Sequence, residues 1–291
     1  MSKLSPSLKA LINAPFARPG QAPAPRGIRD IYQGIAQEAR ERRYGERPWL
    51  TLSSAATFTL NSPASLAILH DVATTASSSS ESALSAAELI REVGLKCISF
   101  NGIPRTINSL GGFRSAILER HPSLASQFET RPSRAATPDN IVAINDRGRA
   151  LWRSIYLPFD GKLEAKLAES HPDLPVHILG SHYGPLLSDP EGDRGGLARV
   201  GRNLTSVVAI ACLRAQTGVG PQVLSHVFGL RKGVEQGTHV EEFGGRETEV
   251  EGMERLAGDE GCEWILKSVD RIAEAIGASF AQGTTARESK L

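Results

Sequence analysis

The amino-acid sequence predicts an all-α protein. Long stretches are rich in alanine, leucine, glutamate and arginine, which are strong helix formers, and aromatic residues make up only 5% of the chain. Apolar residues recur at helical spacing between segments broken by proline and glycine. We expect an N-terminal arm over residues 1–26 that is proline-rich at 15–25, a helical domain over 27–280 with a linker near 130–139 between two halves, and a flexible tail over 281–291.

The first two helices follow directly from this spacing. The pattern predicts one helix from Ile28 to Tyr44 and another from Pro63 to Ala76. Ser62 is placed to cap the second helix, and proline at the first position of a helix costs no hydrogen bond.

A capping box at Ser85 and Glu88 predicts the start of a third helix. Gly102 and Pro104 are expected to end it and to begin the next one. The buried stripe of the third helix is predicted to comprise Leu89, Val93, Cys97 and Phe100. In the next helix, the residues predicted to face the core are Ile103, Ile107, Leu110 and Ile117.

The second half of the chain is predicted in the same way. The expected helices are Arg149–Leu157, Gly161–Ser170, a helix capped by Asn203 or Thr205 that runs to Gln216, Pro221–Arg231 terminated by Gly233, and Cys262–Ile276. Residues 171–202, with several prolines and glycines, are expected to be irregular, and the acidic stretch 235–254 is expected to be solvated.

Composition excludes several functional classes. The net charge of +1 provides no electrostatic footprint for nucleic acid or for an anionic membrane, and no apolar run is long enough to span a bilayer. The amino terminus lacks the apolar core of a secretory signal. The three cysteines stand far apart, so no disulfide framework is predicted, and no phosphate loop or dinucleotide fingerprint is found. We therefore expect no cofactor.

The last three residues, Ser289, Lys290 and Leu291, form a Ser-Lys-Leu tripeptide. At a free carboxyl terminus this tripeptide is the address that the peroxisomal import receptor reads. The segment before it has no apolar period, so we expect it to lie in solvent. The sequence therefore predicts a location in the peroxisome matrix, with the import receptor as a partner.

Two runs of the chain resemble the alkyl hydroperoxidase D-like superfamily, which includes carboxymuconolactone decarboxylase. The runs are Thr205–Gln216 with Gln222–Val227, and Cys97–Leu110 around the Gly-x-Pro break. The similarity covers two blocks, 85–120 and 197–235. It implies that these blocks pack as helical pairs around one core, and that the protein assembles as a homo-oligomer.

Redox members of this superfamily carry a Cys-x-x-Cys-x-x-x-His motif. Counting back from His226, the two cysteine positions fall on Val219 and Gln222, and neither can form a thiolate. Thiol peroxidase activity is therefore disfavoured. The resemblance points instead to the decarboxylase-like branch, which implies cofactor-free decarboxylation or isomerisation of a small carboxylate or lactone.

The resemblance assigns roles to His226, Gln222 and Arg214, and to one of two glutamates. His226 would donate or accept a proton, Gln222 one turn earlier would hydrogen-bond the substrate, and Arg214 would pair with its negative charge. Glu241 or Glu242 would supply an acid near His226. The alternatives stay open: His226 as a hydrogen-bonded core residue, Arg214 as a surface charge, and the whole protein as a non-catalytic binding or assembly module.

Two further groups are expected to carry no chemistry. The histidines of the proline-rich stretch have no fixed helical spacing, so no metal site is predicted there; they are His171, His177 and His182. Cys97 and Cys212 each lie on a predicted buried stripe, which favours inert packing.

Overall fold

The computed structural model describes residues 3–75, 79–190 and 199–277, and within these ranges the chain is helical with no β-strand. The predicted all-α class is confirmed. The tail over 281–291, with the tripeptide Ser289–Leu291, lies outside the described residues. Among the described helices, none combines the length and the apolar character that crossing a bilayer requires.

The helices have the following bounds. In the first half they are α1 Pro6–Ile12, α2 Ile28–Glu41, α3 Glu46–Thr59, α4 Pro63–Thr74, α5 Ser80–Lys96, α6 Ile98–Asn101 and α7 Ile103–Arg120. In the second half they are α8 Ile141–Tyr156, α9 Asp160–Ser170, α10 Asp173–His177, a π-helix Ile178–Leu187, α11 Arg202–Gln216, α12 Gly220–Glu235, α13 Thr238–Glu242, α14 Glu247–Leu256 and α15 Asp259–Ile276. Short 3₁₀ turns occur at Pro15–Ala17 and Pro122–Ser126.

The helix at the centre of the main core, α3, has no counterpart among the predicted elements. Nearly every side chain of α3 is buried, so it lacks the polar face that produces a helical period in a sequence. Its hydroxyl groups bond to carbonyl groups one turn back, as in Ser54 Oγ to Leu50 O at 2.6 Å and Thr57 Oγ1 to Ser53 O at 2.7 Å. These small residues allow α5, α11 and α15 to pack on α3.

A smaller apolar cluster lies between α8 and the π-helix, and α12 packs against α8. Its buried members are Trp152, Ile155, Leu179, Tyr183 and Leu187. The two helices approach closely because glycines face each other: a methyl group at Gly148 would lie 2.5 Å from Gly184 N. The expectation of irregular structure over 171–202 is thus wrong for 173–187, where glycine serves close packing between helices.

A buried ammonium group connects the two cores. Lys96 at the end of α5 has no exposed surface, and its Nζ donates to Leu187 O at 2.7 Å, Asp189 Oδ1 at 3.0 Å and Thr205 Oγ1 at 3.0 Å. It also donates to Val200 O. The acceptors therefore come from the end of the π-helix, from the segments that flank residues 191–198, and from α11.

Several predicted boundaries in the first half need correction. The helix α5 begins at Ser80, with the hydroxyl group of Ser79 accepting from Ser82 N at 3.1 Å, so the expected capping box lies inside the helix. Gly102, with φ of +77°, does separate α6 from α7 as predicted. In α7, however, Ile103 and Ile107 are exposed, and the inward positions are Thr106, Ser109, Phe113 and Ile117.

The second half shows comparable differences. The helix α12 continues through Gly233, where a side chain would collide with Asn203, and it ends before Gly237, which has φ of +72°. The stretch 235–254 forms α13 and most of α14 and buries Phe243 and Met253, so it is not simply solvated. The linker near 130–139 has no helix, and α9 and α15 match their predicted positions closely.

Candidate functional site

His226 lies in the middle of α12 and is 6% exposed. Its ring meets Phe100 and Tyr156 edge-on, with centroid separations of 6.1 Å and 6.3 Å. The burial follows from the local sequence, because Pro221 starts α12 and the helix then carries His226, Gly229 and Leu230 on its inner face. His226 is therefore enclosed mainly by aromatic rings.

The electrostatic surroundings keep the imidazole neutral. Burial lowers the pKa of His226 to about 4, and the positive charge of Arg202 acts in the same direction. The Nδ1 atom is buried and has no hydrogen-bond partner among the described residues. At neutral pH the ring is thus uncharged, and its Nδ1 is a buried atom that no hydrogen bond within the described ranges satisfies.

Arg202 and two tyrosines complete the surroundings of the ring. The guanidinium of Arg202 donates to Ser154 Oγ at 2.7 Å, to Ser206 Oγ at 2.7 Å and to backbone carbonyl groups, and burial lowers its pKa to about 10. The hydroxyl oxygens of Tyr156 and Tyr183 lie 3.2 Å apart, and burial raises the pKa of both phenols. All these hydrogen bonds go to neutral groups, so no carboxylate contacts Arg202 in the described part of the chain.

A cavity of about 490 Å³ adjoins this cluster, between the end of α8, α9 and α12. Tyr156 connects His226 to the cavity, because its ring contacts the imidazole and the residue is part of the cavity lining. The lining comprises Ile155, Tyr156, Pro158, Phe159, Lys162, Leu163, Lys166, Ser225, Phe228 and Lys232. A volume of this size suits a small-molecule ligand.

Three lysines are the charged groups of this lining. Lys232 Nζ donates to Ile155 O at 3.1 Å and to Leu157 O, at the carboxyl end of α8. Lys162 and Lys166 lie one turn apart on α9, are exposed, and pair with no carboxylate in the described ranges. The sequence pattern did not single them out, because lysines at this spacing are ordinary on a helix surface.

The structure does not bring Arg214 to His226, whereas Gln222 precedes His226 by one turn on α12. Gln222 lies in the first turn of α12 and is exposed. Arg214 forms a bidentate salt bridge with Asp270 on α15, with Nε–Oδ1 and Nη2–Oδ2 distances both 2.7 Å. The hydrogen bonds to Asp270 raise the pKa of Arg214. The guanidinium that does lie near His226 is Arg202, which the sequence pattern did not indicate.

Glu242 has a structural role that the sequence did not predict. Its carboxylate accepts from Asn203 N at 2.7 Å and from Leu204 N at 3.0 Å, so it caps the first turn of α11 in place of the expected side chains of Asn203 or Thr205. Burial raises its pKa. Glu241 is exposed. Neither glutamate contacts His226.

The other candidate groups lie outside the cavity. The rings of His177 and His182 are 5.4 Å apart, but in the described ranges no set of three metal-binding side chains gathers around them or around His226. Cys97 and Cys212, far apart in the sequence, are in contact in the core with a sulfur–sulfur distance of 3.5 Å. Burial raises the pKa of Cys97, which agrees with a packing role.

No protein-family model matches this chain, and neither a curated protein nor a solved structure does. Fold and site together define an all-helical protein with a lysine-bearing apolar cavity beside a buried histidine. The geometry of that cavity is therefore the basis for a functional proposal.

Proposed function

We propose that this protein binds a small apolar carboxylate in the cavity between α8, α9 and α12. The observation that carries the proposal is the lining: apolar side chains form the walls, and lysine ammonium groups are the charges. None of these three lysines pairs with a carboxylate in the described part of the chain. An anionic head with an apolar body satisfies both parts of such a cavity.

The exposed aromatic residues at the cavity support the same reading. Phe159 and Phe228 are 62% and 54% exposed, which is unusual for large aromatic side chains. Both line the cavity, so a bound apolar group would cover them. Their burial provides the favourable part of the binding free energy, and the lysines select for negative charge.

A ligand series measured by calorimetry tests this proposal. We expect saturable binding of an aromatic or branched aliphatic carboxylate, and much weaker binding of the corresponding primary amide. Lys162→Gln combined with Lys166→Gln should weaken carboxylate binding by about tenfold, since each exposed charge contributes up to about 1 kcal/mol. Lys267→Gln, on an exposed lysine that pairs with Glu263, serves as the matched control. Equal binding of acid and amide would contradict the proposal.

A second candidate function is the acid–base reaction expected for a carboxymuconolactone decarboxylase-like enzyme: decarboxylation or isomerisation of a small carboxylate or lactone without a cofactor. Two observations favour it: Nδ1 of His226 has no hydrogen-bond partner among the described residues, and the ring contacts Tyr156, which lines the cavity. An anion bound nearby would raise the pKa of His226 toward the range useful for proton transfer. His226→Gln should then abolish turnover while leaving carboxylate affinity within about twofold of the wild-type value. Unchanged turnover in the variant would exclude His226 as the proton carrier, and binding without turnover in the wild-type protein would leave the non-catalytic binding module as the function.

The kinship with the alkyl hydroperoxidase D-like superfamily is part of this proposal. It is supported by the helical hairpin of α11 and α12 with His226 on the second helix, and by the glycine break between α6 and α7. Val219 and Gln222 replace the thiols of the redox members, so we propose no peroxidase activity. Homo-oligomer formation belongs to the same proposal, and light scattering of the purified chain tests it.

A further inference from the structure

A second cluster of chemically active side chains lies away from the cavity, between α4 and the end of α7. It consists of His70, the next residue Asp71, and His121, and one ligand atom from each lies within 4.8 Å of the other two. His70 is fully buried, whereas Asp71 and His121 are half-buried. The two imidazole rings are 5.5 Å apart and inclined at 65°.

The hydrogen bonding of His70 determines which nitrogen is free. Nε2 lies 2.9 Å from Ala83 O, and because a carbonyl oxygen only accepts, Nε2 must carry the proton. Nδ1 then carries the lone pair, is buried, and has no hydrogen-bond partner among the described residues. A ring held by a backbone carbonyl on one nitrogen, with a lone pair left on the other, is the usual arrangement of a histidine that binds a metal ion.

The carboxylate of Asp71 is held in place in a comparable way. Its Oδ2 accepts from Arg29 at 3.0 Å and from Arg120 at 2.5 Å, while Oδ1 accepts no hydrogen bond from a described residue. The positive charges of the two guanidinium groups would repel a bound cation. Their side chains are 44% and 40% exposed, however, so solvent screens this repulsion. One carboxylate oxygen thus stays open as a ligand.

We propose that His70 Nδ1, Asp71 and His121 form a binding site for a divalent transition-metal ion of the zinc class. Two imidazoles and a carboxylate are a donor set that suits zinc, and three protein ligands leave a fourth position for water or a small ligand. The Phe113 ring, 6.2 Å from that of His70, packs on the buried imidazole, and the half-buried partners leave a route for entry.

The present separations require a modest adjustment. Zinc–ligand distances of about 2.0–2.2 Å place tetrahedral ligand atoms about 3.4 Å apart. The side chain of His121 must therefore move inward on binding. It is free to do so, because His121 is the residue that caps α7 and its ring makes no hydrogen bond in the described ranges.

Titration of the full chain with Co²⁺, followed by its visible absorption bands, and competition with Zn²⁺ test the site. We expect one saturable site, and a rise in the Tm of the wild-type protein with added Zn²⁺. His121→Ala and Asp71→Asn should each weaken binding by at least about tenfold and remove the Tm rise. Both positions are half-buried, and the Tm without metal shows whether the fold persists in each variant.

His177→Ala is the matched control. His177 is also half of a close imidazole pair, at 5.4 Å from His182, but no carboxylate completes that pair within metal-binding reach in the described ranges. Binding that is lost in His177→Ala and retained in His121→Ala would overturn the proposal. So would the absence of saturable binding in the wild-type protein. Neither result bears on carboxylate binding in the cavity, which involves different residues.

Discussion

Acidification should destabilise the protein through His226. The pKa of this histidine is lowered to about 4 in the folded protein because the ring is buried. In the unfolded chain the same side chain titrates near about 6.5. Between these values the unfolded state binds a proton that the folded state does not bind, so the free energy of unfolding falls as the pH falls.

The magnitude follows from the difference between the two pKa values. A separation of about 2.5 pH units corresponds to about 3 kcal/mol, since each unit is worth about 1.4 kcal/mol. This contribution is fully present above about pH 6.5 and is lost progressively down to about pH 4, below which both states are protonated. It is a large part of the stability of an ordinary domain.

Urea denaturation of the wild-type protein and of His226→Gln, at several pH values between about 7 and about 4, measures this effect. Glutamine stays neutral throughout, and all other titrating groups contribute equally to both proteins. We expect the wild-type protein to lose about 3 kcal/mol more than the variant over this range. Parallel pH dependences would refute the conclusion that the imidazole is sealed from solvent in its neutral form.

Three further outcomes are expected. Gly148→Ala should lower the free energy of unfolding by about 1–3 kcal/mol, because the new methyl group meets the backbone of the π-helix. Gly161→Ala is the control and should not destabilise the protein, since a side chain there meets nothing within 4 Å. Urea denaturation of both variants measures the difference. Arg214→Ala should change stability by less than about 1 kcal/mol and leave carboxylate affinity unchanged, as calorimetry can show, because its exposed partner is Asp270. Deleting Ser289–Leu291 should leave the Tm unchanged. In cells, the same deletion should move the protein, carrying a fluorescent tag at its amino terminus, from peroxisomes to the cytosol. Peroxisomal retention in cells without a tagged partner would contradict the targeting prediction.

The sequence predicted best the helices that keep one polar face. The last helix, α15, has a clear apolar stripe against a charged face, and its predicted and observed bounds nearly coincide. The helix α3 was missed because burial on all sides removes the periodic signal. The π-helix was missed because Gly184 and Pro185 read as breakers, although Gly184 is needed for the approach of α8.

The candidate site was predictable only in part. The burial of His226 within a helix follows from its apolar neighbours along α12. Its surroundings do not, because Phe100, Tyr156 and Arg202 come from three other parts of the chain that only the tertiary packing brings together. The expected partner Arg214 was misplaced for the same reason: Asp270 on α15 competes for it, and sequence spacing gives no sign of that contact.

The ammonium group of Lys96 also bears on how cooperatively the protein unfolds. Detaching the α8 and π-helix layer from the main core would break the hydrogen bonds that Lys96 Nζ donates to Leu187 O and to Asp189 Oδ1, and hydrogen bonds to a charged group are worth about 1.5–3 kcal/mol each. A half-open form with one layer melted is therefore disfavoured. The two cores should lose their structure in one cooperative step, even though each has its own apolar centre.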